Sequence, residues 1–140
     1  AYRLQHYPPI SEWSPILKIP DLTFINLQYV NFEDDLKTVQ DELEVKVHHF
    51  DDLDQYNNVD DVAALCAALD MVVSTKVTPP FISSAVGTST KFANWKQSSY
   101  NIILNNPVTS SFEMYDRNTW EPWDDVFKLI AEDILKSNKN

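Results

Sequence analysis

Apolar residues change their spacing several times along this chain, and each change marks an element. Residues 1–20 are punctuated by Pro8, Pro9, Pro15 and Pro20, and Ser11 is placed to cap a short helix reaching Lys18. Asp21–Tyr29, DLTFINLQY, is β-branched and aromatic and predicts a strand with Gln28 and Tyr29 at its carboxyl end. Phe32, Leu36, Val39 and Leu43 then recur at helical spacing behind Asn31 as a cap, with Glu33, Asp34 and Asp35 in the positive first turn. Leu43–Phe50, LEVKVHHF, alternates as a second strand, which makes a right-handed βαβ unit the expected topology.

The same procedure carries through the second half. Asp60 or Asp61 is the expected cap of a helix kept thin by Ala63, Ala64, Ala67 and Ala68, so that it approaches the sheet closely. Leu69–Ser74 is apolar on both faces through Met71, Val72 and Val73, as an inner parallel strand would be. Thr78 as cap, Pro79 in the first helical position and Gly87 at the left-handed end mark a short helix. Thr88–Asn94 predicts a strand, with shorter β candidates at Tyr100–Leu104 and Ser111–Tyr115. After Pro122, one face carries Trp123, Val126, Phe127, Ile130 and Ile134 and the other Asp124, Asp125, Lys128, Glu132 and Asp133, the pattern of a closing helix. Strands alternating with helices over 140 residues read as one α/β domain with a mostly parallel sheet.

Composition narrows the functions open to such a domain. A formal charge of −10 argues against nonspecific nucleic-acid or anionic-membrane binding, both of which need a basic face. A single glycine rules out GxGxxG and Walker A phosphate loops. The lone Cys66 sits in an apolar run, excludes an internal disulfide and reads as a small core residue of a reducing compartment. With no membrane-length apolar run and no leader pattern, a cytoplasmic protein is expected. The opening Ala1 in place of Met reads as a cloning or processing boundary.

In parallel α/β sheets, ligands sit where a strand's carboxyl end passes into a helix, which singles out Ser74–Phe81. Pro79 and Pro80 lack N–H groups, so Phe81 and Ile82 are the first backbone donors there, and Lys76 is placed to add positive charge. Trp95, Lys96 and Gln97 follow the next strand, and Arg117, Asn118 and Trp120 either line a ligand rim or, for Trp120, plug the core. Asp52-Leu53-Asp54 has the DxD spacing of a divalent-cation site, but it lies in an aspartate-rich solvated stretch, DDLDQYNNVDD, that reads more simply as a charged loop. His48 and His49, adjacent on a strand, point to opposite faces and make a poor shared metal site, and His6 lies in a terminal coil. No nucleophile elbow or zinc spacing is present.

Taken in order, LQY (27–29), HFDDLDQYNNVDDVAALCAALDMVVS (49–74), FISSAVG (81–87) and NTWEPWDDVFKLIAEDI (118–134) resemble the C-terminal lobe of a bacterial two-lobed (GT-B) glycosyltransferase. This is the kind appended to tetratricopeptide repeats and related to heptosyltransferases and O-linked N-acetylglucosamine transferase. The resemblance covers about residues 13–136. It implies a Rossmann-like three-layer α/β/α sandwich that binds a nucleotide-sugar donor without a metal, while an N-terminal lobe supplies the acceptor site and usually the base. The family loop reads like DTxxxHLAGALG; here Lys76 stands at the Asp, Phe81 at the His and Ser84 at a Gly, while Ala85 and Gly87 keep the pattern. By that resemblance Gln28, Lys76, Thr78, Phe81, Ser83 and Ser84 border the donor pocket, with Trp95 and Lys96 on its rim. Phe81 or Trp95 is suited to stacking a base or sugar, Gln28 to hydrogen bonding, and the lysines to meeting a diphosphate. The alternative is a degenerate lobe used for protein interaction or as a scaffold, its pocket filled by Phe81 and the two prolines. A flavodoxin-like or response-regulator domain is poorly supported, since no acidic pocket with a phosphate-accepting Asp and a partner Lys is evident.

Overall fold

A computed structural model describes residues 7–96, 110–118 and 120–137. A 3-10 turn at Ile10–Trp13 runs into α1 (Ser14–Leu17), followed by β1 (Phe24–Ile25), α2 (Glu33–Leu43), β2 (Val47–His48), α3 (Val59–Ala68) and β3 (Met71–Ser74). Then come α4 (Pro79–Ala85), β4 (Ser89–Trp95), β5 (Phe112–Arg117) and α5 (Trp123–Ser137). The predicted strand Tyr100–Leu104, with Gln97 and His6, lies outside the described residues.

Every strand pair among the described residues is parallel. β1 lies beside β2, and a separate sheet has the order β3-β4-β5, with Met71 opposite Ser89 and Thr90 opposite Phe112. Alternation along β4 assigns the two faces. Ala93 faces Phe127, Ile130 and Ile134 of α5 together with Ile16 and Ile19, whereas Val72 of β3 meets Val62 and Cys66 of α3 on the other side, with Ile82 of α4 packed against them. Helices thus cover both faces, giving the expected Rossmann-like α/β fold. The closing helix is as its pattern predicts: Phe127 and Ile130 are fully buried, and Glu12 accepts a hydrogen bond from the Asp124 backbone N–H at the helix start, 3.1 Å away.

Several local expectations are corrected. The β1 and β2 ladders hold two residues each, far shorter than the predicted strands. Among the described residues β3 pairs with β4 alone rather than lying inside its ladder, and β4 is the strand flanked on both sides. The two-sided apolarity of β3 is matched by helices on both faces: Met71 and Val73 pack against the α1–α5 core and Val72 against α3. Asn31 does not cap α2; it takes φ 51° in a left-handed turn, and Phe32 occupies the cap position. Asn58, not Asp60 or Asp61, caps α3, its side chain accepting from the Asp61 N–H at 3.2 Å.

Gly87 ends α4 as anticipated. With φ 85° it donates to the Ser84 carbonyl (3.0 Å), and Thr88 donates to that of Ser83 (3.0 Å), the two bonds of a Schellman cap. Because the chain has a single glycine, the other left-handed positions among the described residues fall to Asp21, Asn31, Glu44 and Trp120.

Candidate functional site

The crossover from β3 through α4 to β4 places the expected residues unevenly. Lys76 follows the carboxyl end of β3, and Lys96 follows that of β4; these strands are adjacent and parallel, so the two lysines belong to one rim. Lys76 is half-buried and Lys96 exposed. Trp95, the last residue of β4, packs against the α1–α5 core.

The helix that follows is closed on itself at its start. Thr78 is exposed and helical in conformation, its side chain makes no capping bond, and its carbonyl accepts from both Phe81 N–H (3.0 Å) and Ile82 N–H (3.4 Å). Pro79 and Pro80 are buried and offer no donor. The first backbone donors of the turn are therefore already engaged. Phe81 joins a cluster with Phe92 (ring centroids 6.1 Å apart) and Phe112 (5.4 Å). Ser83 and Ser84 lie inside the protein. Because the Thr90 hydroxyl donates to the Thr88 carbonyl (2.9 Å), Ser83 is the donor in its 2.8 Å bond to Thr90. The Ser84 hydroxyl is buried without a hydrogen-bond partner.

Gln28 belongs to the other strand pair. Its amide reaches Asp35 on α2 at 3.5 Å, and its backbone N–H donates to Asn26 (3.0 Å). Asn26 is a hub that periodicity did not reveal. Nearly buried just past β1, it donates to the Gln28 carbonyl (3.1 Å), meets His49 Nδ1 at 3.1 Å, and its own carbonyl accepts from Gln55 (3.1 Å). His49 also lies 4.2 Å from the Phe32 ring. The only hint in the sequence is a polar residue where the β1 pattern asks for an apolar one. His48 turns away and lines an open cleft of about 480 Å³ with Leu17, Ile19, Phe24, Leu43 and Val45.

Asp54 of the DxD pattern closes a turn. It accepts from Tyr56 N–H (3.1 Å), from Asn57 N–H (2.9 Å) and from the Asn57 side chain, and the Asn57 bonds hold its carboxyl below the usual range. Arg117 is buried, stacks 4.2 Å over the Trp123 ring and donates to the Glu121 carbonyl at 2.6 Å. Trp120 is not a core plug: it is 87% exposed. Cys66 is a core residue, and burial pushes its thiol pKa up.

A second polar cluster was also missed. Lys91, on the α5 face of central β4, is 2% exposed and reaches Glu113 at 3.0 Å and the Tyr115 hydroxyl at 2.9 Å. Tyr115 in turn donates to Asp133 of α5 at 2.7 Å. Burial first, then the bond to Asp133, raises the Tyr115 pKa, so its hydroxyl stays protonated and ties sheet to helix. A lysine inside TSTKFAN was the available signal.

One similarity to a known protein bears on context. The chain is 31% identical over 126 residues to protein FlbA of Caulobacter vibrioides. The match takes in 87% of this chain but 21% of FlbA, so the chain spans about a fifth of that protein's length. No protein-family model matches the sequence, and no solved structure matches it. Among the described residues, no helix is long and apolar enough to cross a membrane.

Proposed function

We propose that this chain is the donor-side lobe of a two-lobed glycosyltransferase, incomplete without an N-terminal acceptor lobe and set within a longer bacterial, cytoplasmic protein that carries tetratricopeptide repeats. The observation that carries this reading is the parallel β3–α4–β4 crossover with Lys76 and Lys96 just beyond neighbouring strand ends. The likeness to one fifth of FlbA supports a module within a longer polypeptide. Since the first turn of α4 has its amides engaged, a nucleotide diphosphate is met by lysine side chains rather than by a backbone cradle. Gln28 then reads the donor from the β1 side, and no metal is required. Alone, the lobe binds but does not turn over, because half of the water-excluding cleft is missing.

Titration with UDP, GDP and ADP, followed by amide chemical shifts, tests this reading. The expected result is millimolar binding that shifts Lys76, Val77 and Lys96 and is abolished by Lys76→Glu at unchanged thermal stability. Absence of binding both here and in the intact longer protein would defeat it.

The second reading, a non-catalytic lobe serving as an interaction or scaffold module, is favoured by one observation: Phe81, Pro79, Pro80, Ser83 and Ser84 fill the α4 turn with the protein's own side chains. It predicts no nucleotide response in any context.

A further inference from the structure

The loops after β1 and β2 carry an exposed apolar surface that the donor reading does not use. Tyr29, Val30, Phe50, Tyr56 and Val59 are all exposed, Tyr56 at 67% and Val59 at 61%. Tyr29 and Tyr56 form one surface, and the loops that carry Val30, Phe50 and Val59 beside them are joined beneath it. Tyr29 and Tyr56 contact ring to ring at 5.6 Å, Gln55 beside Tyr56 bonds the Asn26 carbonyl, and His49 beside Phe50 bonds the Asn26 side chain. Asp54 fixes the turn that presents Tyr56. These aromatics are therefore displayed from a hydrogen-bonded base.

The surroundings are acidic. Asp51, Asp52 and Asp54, between Phe50 and Tyr56, and Asp60 and Asp61, next after Val59, are exposed, and no Lys or Arg occurs between Lys46 and Lys76. An acidic rim around aromatic rings repels nucleotide phosphates and anionic lipid headgroups alike. It also opposes a symmetric pairing of two copies, which would set carboxylates against carboxylates in a chain of charge −10. What complements it is a cationic polypeptide with apolar anchors: arginines stack on tyrosine faces and pair with carboxylates, while leucines cover Val30 and Val59. We propose that this face docks a basic, leucine- and arginine-containing segment of a partner protein.

The test is fluorescence anisotropy of a labelled Arg/Leu peptide of about twelve residues, at about 20 and 150 mM salt. Its Glu/Leu counterpart serves as control, and amide shifts of the whole chain map the site. Binding by the Arg/Leu peptide alone is expected, weakening with salt and shifting residues 29–32 and 49–61. Tyr56→Ala should weaken it about tenfold or more. Asp51→Asn with Asp52→Asn should weaken it about fivefold, whereas Asp125→Asn with Glu132→Gln on α5, the same change in net charge, leaves it unaltered. Equal weakening by both pairs reduces the effect to net-charge attraction and overturns the proposal. So does unchanged affinity in Tyr56→Ala, no binding, or self-association of the chain through these same residues. Nucleotide binding at Lys76 and Lys96 is read separately, so either result stands without the other.

Discussion

The β1–β2 pair and the β3–β4–β5 sheet solve the same problem by different means. A parallel ladder needs cover on its faces, because its strands are not joined by tight hairpins and gain stability from what packs upon them. β4 has that cover: Ala93 lies under α5, Phe92 stacks against Phe112 with Phe81 of α4 beside them, and the strand extends for seven residues. β1 and β2 have two residues each, and beyond them the chain is held by the side chains of Asn26, His49 and Gln55. Helices reach both ladders, since Phe24 of β1 packs against the α1–α5 core and Leu27 against α3; but past the two-residue β1–β2 ladder side-chain amides take over and aromatic rings are left facing water. The well-packed half is built for stability, and the other half presents surface.

Substitutions in the two halves should therefore differ in kind. The largest effect is expected from Phe127→Ala, which empties a fully buried position between α5 and the sheet and should cost about 3–5 kcal/mol in denaturant unfolding. A cost below about 1 kcal/mol would mean that this half is no better packed than the other. Asn26→Ala comes next. Loss of its bonds to Gln28 and His49 should cost about 1–3 kcal/mol, with faster amide exchange confined to 26–32 and 47–56. Exchange spreading into β4 would show the two halves to be one cooperative unit.

Within α4 a paired comparison sharpens the point. Ser83→Ala loses a buried hydrogen bond to Thr90 and should cost about 1 kcal/mol, whereas Ser84→Ala removes a buried hydroxyl without a partner and should be neutral or stabilising. Equal costs would show that packing alone governs that helix. The smallest effect is a pH dependence of the exposed loop. The Asp54 carboxyl has its pKa lowered, so its contribution is complete above the ordinary value of 3.8 and is lost as pH falls through its lower folded value. Backbone amide shifts of Tyr56 and Asn57 should titrate together with a midpoint below 3.8, while β4 amides stay constant.

Much of this was legible without coordinates. The α5 helix, the short α4 helix with its Gly87 end, and the parallel βαβ order follow from spacing and from residues with narrow backbone preferences, which act locally wherever the chain goes. Apolarity on both faces of β3 reports helices on both sides, but it does not say which strands β3 pairs with, because pairing runs through backbone groups at the strand edges and leaves no mark on the side chains. Caps were misassigned at Asn31, Asp60 and Asp61 because several adjacent Asn and Asp residues satisfy the same rule, and the selection of Asn58 depends on how the preceding turn delivers it.

By itself, then, the sequence determined that this is a Rossmann-like α/β chain, acidic, with one glycine and a helix to close it. Tertiary structure alone decided what its polar residues do. Asn26 became a hub and Lys91 a buried tie to α5 through Tyr115. The reason is that patterning fixes which face is apolar through forces summed over many residues, whereas a hydrogen bond depends on two particular atoms meeting within about 3 Å. For residues far apart in the chain, that meeting is set by packing.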